Sequence, residues 1–326
     1  MTNTVDLSVK IGSLRLRNPL ILGAGPAGRV ALGLIKYAEL GFGAVVTKTI
    51  TPEPWGGNPT PRDIMRGKDI LFESSGIPNV GYKVMIEEIK EAKDKIKNRT
   101  PIIVNITSET PEEFAEMSYG FERAGADAIE LAIFGCPNYK PGTKISKAYW
   151  EKTPERIELV IKTVKSAVSI PIWIKFWLVN FESVKAAEKA GADAVHMLGP
   201  ANPTALPIDG ETGKPLLGHP RGTGCIFGPF AKYPGLKVVA DLCRTVKIPV
   251  LGDGGVWEGQ DVIEYIMAGA VGAQCLTSIM MRGPKRVRHI LKGIEEFMER
   301  KHISNLDEIR GITLKYLPPV PYNPME

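Results

Sequence analysis

The sequence predicts an α/β fold: one (β/α)8 TIM barrel over residues 1–326, with an N-terminal β-hairpin within 1–18, long loops after its strands, and a C-terminal tail over 312–326. Three observations lead there. Eight short apolar segments recur, at 20–23, 44–47, 102–105, 128–131, 172–175, 194–197, 249–252 and 272–276. Runs of this length without polar alternation suit strands buried on both faces. Stretches of helical composition separate them, such as 111–124, 154–168 and 181–190, each with Pro or a polar residue near its start. A short motif also returns: Leu40-Gly41-Phe42-Gly43-Ala44, Ala124-Gly125-Ala126-Asp127-Ala128, Ala190-Gly191-Ala192-Asp193-Ala194 and Ala268-Gly269-Ala270. Each ends a helical stretch before a strand, where Gly caps the helix and small residues allow close packing.

Ahead of the first strand, residues 6–16 alternate Leu7, Val9 and Ile11, then Leu14 and Leu16, around Gly12-Ser13. That pattern predicts a hairpin placed to cap the N-terminal end of the barrel. Pro101, Pro171 and Pro249 mark strand entries, where a missing N–H is tolerated. Three connections, 50–81, 134–153 and 200–230, are far longer than usual and are rich in Gly and Pro. All leave the C-terminal ends of strands, where barrel enzymes build their sites. They are expected to form the walls and lid of a pocket.

Composition narrows the class. Charged residues are 24% and the formal net charge is +5, with both signs interspersed. No basic run points to nucleic acid. Residues 1–7 carry no apolar targeting stretch, and no 18-residue apolar run suggests a membrane span, so a cytoplasmic, soluble protein is expected. The four cysteines form no C-x-x-C pair, which argues against a disulfide framework or a resident iron–sulfur cluster. Four scattered histidines without an H-E-x-x-H pattern make a metal site unexpected.

Several residues at strand ends carry chemistry. Gly23-Ala24-Gly25-Pro26-Ala27-Gly28 has dinucleotide-fingerprint spacing, but Lys48 stands where a ribose-binding acid belongs. These glycines suit a loop lying close against a planar ligand. Lys48 and Lys175 end two strands and need solvent or an anionic partner. Either could be a Schiff-base lysine or could place positive charge beside an electron-rich ring. Asp253-Gly254-Gly255 and Thr277-Ser278 follow the last two strands, as a phosphate cradle would. Cys136 opens a long loop near the cationic lysines, while Cys225, Cys243 and Cys275 read as structural thiols and His196 as a satisfied core residue.

The motifs Asn58-Pro59-Thr60-Pro61-Arg62, Gly76-Ile77-Pro78-Asn79-Val80-Gly81, Cys136-Pro137-Asn138, Gly213-Lys214-Pro215, Gly228-Pro229 and Gly254-Gly255 come in an order that resembles one family. The chain is similar to the class 1 dihydroorotate dehydrogenases and to the pyrimidine-reducing domain of dihydropyrimidine dehydrogenases, from about residue 7 to residue 311. The resemblance implies FMN and oxidation or reduction at a CH–CH or C=C bond. It implies Lys48, Lys175 and Asn105 at the flavin, Ala24 and Gly25 along its ring, and Gly228, Gly254, Gly255, Thr277 and Ser278 at its phosphate end. Cys136 would be the acid/base, and Asn79 and Asn138 would stand near the substrate. Glu73, Ile133 and Gly199 occupy positions where the family carries substrate-binding asparagines, so a substrate other than orotate is expected. An iron–sulfur or FAD subunit as electron partner and a homo-oligomeric state also follow from the resemblance. A flavin-free lyase or aldolase using Lys48 or Lys175, and a non-catalytic small-molecule binder, stand as alternatives.

Overall fold

The structure is a computed structural model and describes residues 5–97, 99–134, 150–177, 180–197 and 205–318. The hairpin forms first, with β1 (Val9–Ile11) antiparallel to β2 (Leu14–Leu16) around a left-handed Gly12. A Cβ on Gly12 would lie 3.2 Å from that of Asp193, at the foot of a barrel strand, so the hairpin covers the N-terminal end.

The barrel strands are β3 (Leu20–Leu22), β4 (Ala44–Val46), β7 (Ile102–Ile106), β8 (Ala128–Ala132), β9 (Ile172–Phe176), β10 (Ala194–Met197), β12 (Leu251–Asp253) and β13 (Gly272–Cys275). They pair in parallel in the order β10-β9-β8-β7-β4-β3-β13-β12. A bridge between Val195 and Val250 joins the two ends and closes the ring. Almost every strand residue is buried, as continuous apolar runs demand.

Helices α1 (Ala31–Leu40), α2 (Tyr82–Ile96), α3 (Pro111–Ala124), α4 (Pro154–Ala167), α5 (Phe181–Lys189), α6 (Lys232–Thr245), α7 (Gly259–Met267) and α9 (Arg286–Lys301) lie between or after the strands, with a short α8 (Thr277–Arg282) following β13. The start signals work as expected. Thr110 and Asn180 accept from the N–H of Glu113 and Ser183, capping α3 and α5. The repeated motif has a further use. Asp127 accepts from the Ile102 N–H (2.8 Å) and from Lys93 (2.6 Å), and Asp193 likewise from the Ile172 N–H (2.8 Å) and Lys165 (2.7 Å). Each Asp ties the start of its own strand to the start of a neighbour and to a helix outside.

Two of the long connections are not plain loops. The stretch 50–81 holds β5 (Asp63–Arg66) and β6 (Ile70–Glu73), and 200–230 contributes β11 (Cys225–Phe227). They form a three-stranded antiparallel sheet, β11-β6-β5, beside the C-terminal mouth. One register row sets Asp63, Glu73 and Cys225 side by side. Near the other end, Ile312–Tyr316 forms a short 3-10 turn.

Candidate active site

A cavity of about 530 Å³ opens at the C-terminal ends of the strands. The first βα turn lines it with Ala24 and Gly25, the second strand's end with Lys48, and β9 with Lys175. Gly254, Gly255 and Thr277 come from the last two strand ends, and Glu73 and Gly228 from the lid. Residues predicted from seven separate parts of the chain thus share one cavity. Gly254 and Gly255 adopt φ of 97° and 66°, a left-handed turn that favours glycine. At Gly255 a Cβ would meet the Lys232 backbone N at 2.2 Å, so only glycine fits.

Other expected residues lie away from the cavity wall. Asn79 accepts from the N–H groups of Thr51 (3.2 Å) and Gly81 (2.9 Å), and so holds the lid's return to α2. Ser278 is buried and its hydroxyl meets the Cys275 sulfur at 3.2 Å. Asn105 points into the barrel, donating to Glu130 at 2.5 Å. Cys136, Asn138 and Gly199 lie outside the described residues. Burial pushes the Cys243 and Cys275 thiols up to about 12, which leaves both inert. Cys225, read as structural from the sequence, is half-buried and lines the cavity.

Below the cavity lies a polar cluster that sequence reasoning missed. Glu130, fully buried on β8, takes hydrogen bonds from Asn105, from His196 (2.8 Å) and from Gln274 (2.7 Å). Lys175, 3% exposed, has its ammonium 3.8 Å from Glu130 and 3.7 Å from Asp253, both beyond hydrogen-bond length. Its donor protons are therefore left to a group in the cavity. Burial alone would raise the Glu130 pKa, but the His196 and Lys175 charges and the hydrogen bonds outweigh it and hold the carboxyl at about 2. Burial would lower the His196 pKa, but Glu130 and Asp253 raise it. A visible signal existed: Glu130 and His196 interrupt otherwise apolar strands, and Asp253 ends one.

The lid adds more polar groups. Glu73 accepts from the backbone N–H of Ser75 (2.8 Å) and from its hydroxyl. Burial and the neighbouring Glu73 push the Asp63 carboxyl up. His219 is 6% exposed on the cavity wall, where its Nδ1 accepts from the Arg221 N–H at 3.1 Å and its Nε2 has no partner. Phe134 and Trp177 form an edge-to-face aromatic wall at 5.4 Å.

The comparisons with known proteins agree with this geometry. The family model for dihydroorotate dehydrogenase matches residues 6–298. The chain belongs to the dihydroorotate dehydrogenase family. It is 36% identical, over 95% of its length and 98% of the relative's, to a Thermococcus kodakarensis protein named dihydroorotate dehydrogenase B (NAD(+)), catalytic subunit. A Methanosarcina mazei protein of the same name is 36% identical over 94% of this chain and 95% of that one. In fold it is similar to a solved dihydroorotate dehydrogenase from Eimeria tenella bound to ferulenol. The TM-score is 0.77 at 20% identity, over 96% of this chain and 89% of that one. Members of the family are FMN-dependent oxidoreductases, and so is this chain. The residues present fit that cofactor: an unspent buried ammonium, a glycine turn that no side chain could enter, and enough volume for a flavin. Among the described residues, no helix is long and apolar enough to cross a membrane.

Proposed function

We propose that the chain oxidises or reduces a CH–CH or C=C bond in a small, dihydropyrimidine-like ring, with Cys136 as the acid/base. The observation that carries this reading is the meeting of Lys48, Lys175, Glu73, Gly254 and Thr277 in one cavity under a lid. Bound there, FMN supplies a two-electron acceptor or donor for hydride transfer. Lys48 and Lys175 would hold positive charge against its ring, and Asn105 would fix Glu130 beside Lys175. Ala24 and Gly25 would lie along the ring, and Gly228, Gly254, Gly255 and Thr277 would hold the phosphate end. The sheet β5-β6-β11 keeps water from the substrate.

Glu73 decides which ring fits. Ser75 donates to its carboxylate from both N–H and hydroxyl, which fixes the group on the cavity wall. A carboxylate in that place repels a carboxylate on the ring and accepts from a ring N–H. The substrate is thus a neutral dihydropyrimidine rather than the dihydroorotate of the relatives' names. Those relatives are named as catalytic subunits, which supports an iron–sulfur or FAD subunit as electron partner. Asn79 supports the substrate wall by fixing the lid, and Asn138 and Gly199 belong to the substrate side by motif.

Anaerobic bleaching of the FMN-loaded protein by a panel of reduced pyrimidines, dihydroorotate included, tests the reading. Neutral rings should bleach the flavin and dihydroorotate should not; bleaching by dihydroorotate alone would refute the role given to Glu73. Cys136→Ser should keep the flavin but slow its reduction by about 10²–10⁴-fold. An unchanged rate would remove Cys136 from the mechanism.

A further inference from the structure

His196 is fully buried and does not line the cavity, yet carboxylate oxygens face both of its ring nitrogens. Nε2 is 2.8 Å from Glu130 Oε2, and Nδ1, which makes no hydrogen bond, is 3.6 Å from Asp253 Oδ2, near enough for charge attraction alone. A neutral ring would turn a lone pair toward one of those carboxylates, which an imidazolium avoids. Gln274 Nε2 also donates to Glu130 Oε2, so the 3.4 Å approach of the two Nε2 atoms is two donors sharing one acceptor. Counted with an imidazolium, Glu130, Asp253, Lys175 and His196 sum to zero charge. Without it, the buried Glu130 and the partly exposed Asp253 would share the single Lys175 ammonium.

We propose that His196 is a positioning residue for the flavin site: a fixed buried cation that hydrogen-bonds Glu130 and offsets the charge of Asp253, leaving the Lys175 ammonium for the ring of a flavin bound above. The arrangement explains why Lys175 stands 3.7–3.8 Å from two carboxylates without bonding either. Glu130 already takes three hydrogen bonds and Asp253 faces the imidazolium, so neither draws the lysine fully down. Asp253 has the opposite sense. It lines the cavity and brings negative charge toward the same lysine. The two residues therefore push the electron affinity of the flavin in opposite directions, His196 raising it and Asp253 lowering it.

This inference rests on the flavin reading, and its test separates the two. Sulfite adds to oxidised flavins and binds more tightly where the surroundings favour negative charge on the ring. The FMN-loaded protein is titrated with sulfite by absorbance, and its flavin midpoint potential is measured. His196→Asn should weaken sulfite binding about tenfold or more and make the potential more negative. Asp253→Asn should tighten sulfite binding and make the potential more positive. A merely structural role would move both variants the same way, and that result, or no change in either, overturns the proposal. Should His196→Asn not fold, Asp253→Asn still decides, since weaker or unchanged sulfite binding there contradicts the opposed signs. A wild-type chain that never retains FMN would instead refute the cofactor assignment, and this inference with it.

Discussion

Glu130 shows what a single residue contributes. A carboxylate in the middle of a buried strand is costly, and here the cost is offset by three hydrogen bonds and two nearby cations. Its pKa is depressed from 4.5 to about 2, so its stabilisation is fully present above 4.5 and is lost as pH falls through the interval below. For His196 the sign is reversed. Its pKa is raised from 6.5, so its contribution is fully present below 6.5 and fades as pH rises through the higher folded value. Removing one member of such a cluster costs about 3–5 kcal/mol. Glu130→Gln should therefore lower the urea midpoint strongly at pH 6, and the gap from wild type should narrow below pH 4.5. A gap that stays constant down to pH 3 would show that Glu130 is not charged in the folded state.

Among the elements, the lid sheet is the one the sequence hid. Gly- and Pro-rich stretches read as loops, because β5 has neither strict alternation nor apolar continuity and β11 is only three residues long. β11 finds its partner more than a hundred residues away, Cys225 opposite Glu73. The close fit of the two loops can be tested at Gly218. A Cβ there would stand 2.3 Å from the Thr60 carbonyl and 2.6 Å from that of Pro59. Gly218→Ala should push the lid off its neighbour, at about 1–3 kcal/mol of local strain. Protease cleavage within 205–228 should become faster and KM should rise, while the thermal midpoint of the barrel moves little. An unchanged cleavage rate and KM would mean that this contact does not hold the lid. The barrel helices contrast with this: their caps and Pro starts are local signals, so α3 and α5 begin where the sequence placed them.

For the whole molecule, closure of the ring makes the site. Val195 pairs with Val250, joining the sixth and seventh strands in chain order, and only then do Lys175 and Asp253 approach each other. Cofactor binding is thereby linked to the folded state alone, since an opened barrel would scatter the cradle and the lysines. FMN at a hundredfold over its Kd should add ~2.7 kcal/mol to stability. Differential scanning calorimetry of flavin-stripped protein should show the midpoint rising with FMN concentration. A midpoint indifferent to FMN would mean that the cavity does not hold it.

The sequence by itself determined the eight strands, their alternation with helices and the face on which function lies, because burial on both faces and helix capping are written in local patterns. It also singled out Lys48, Lys175, Gly254, Gly255 and Thr277, since charged or glycine residues at the ends of apolar strands stand out locally. Tertiary structure alone decided that Glu130, His196 and Asp253 act together, and that the long connections pair into a lid. Electrostatic balance in a buried cluster depends on distances across the barrel, and no local pattern encodes those.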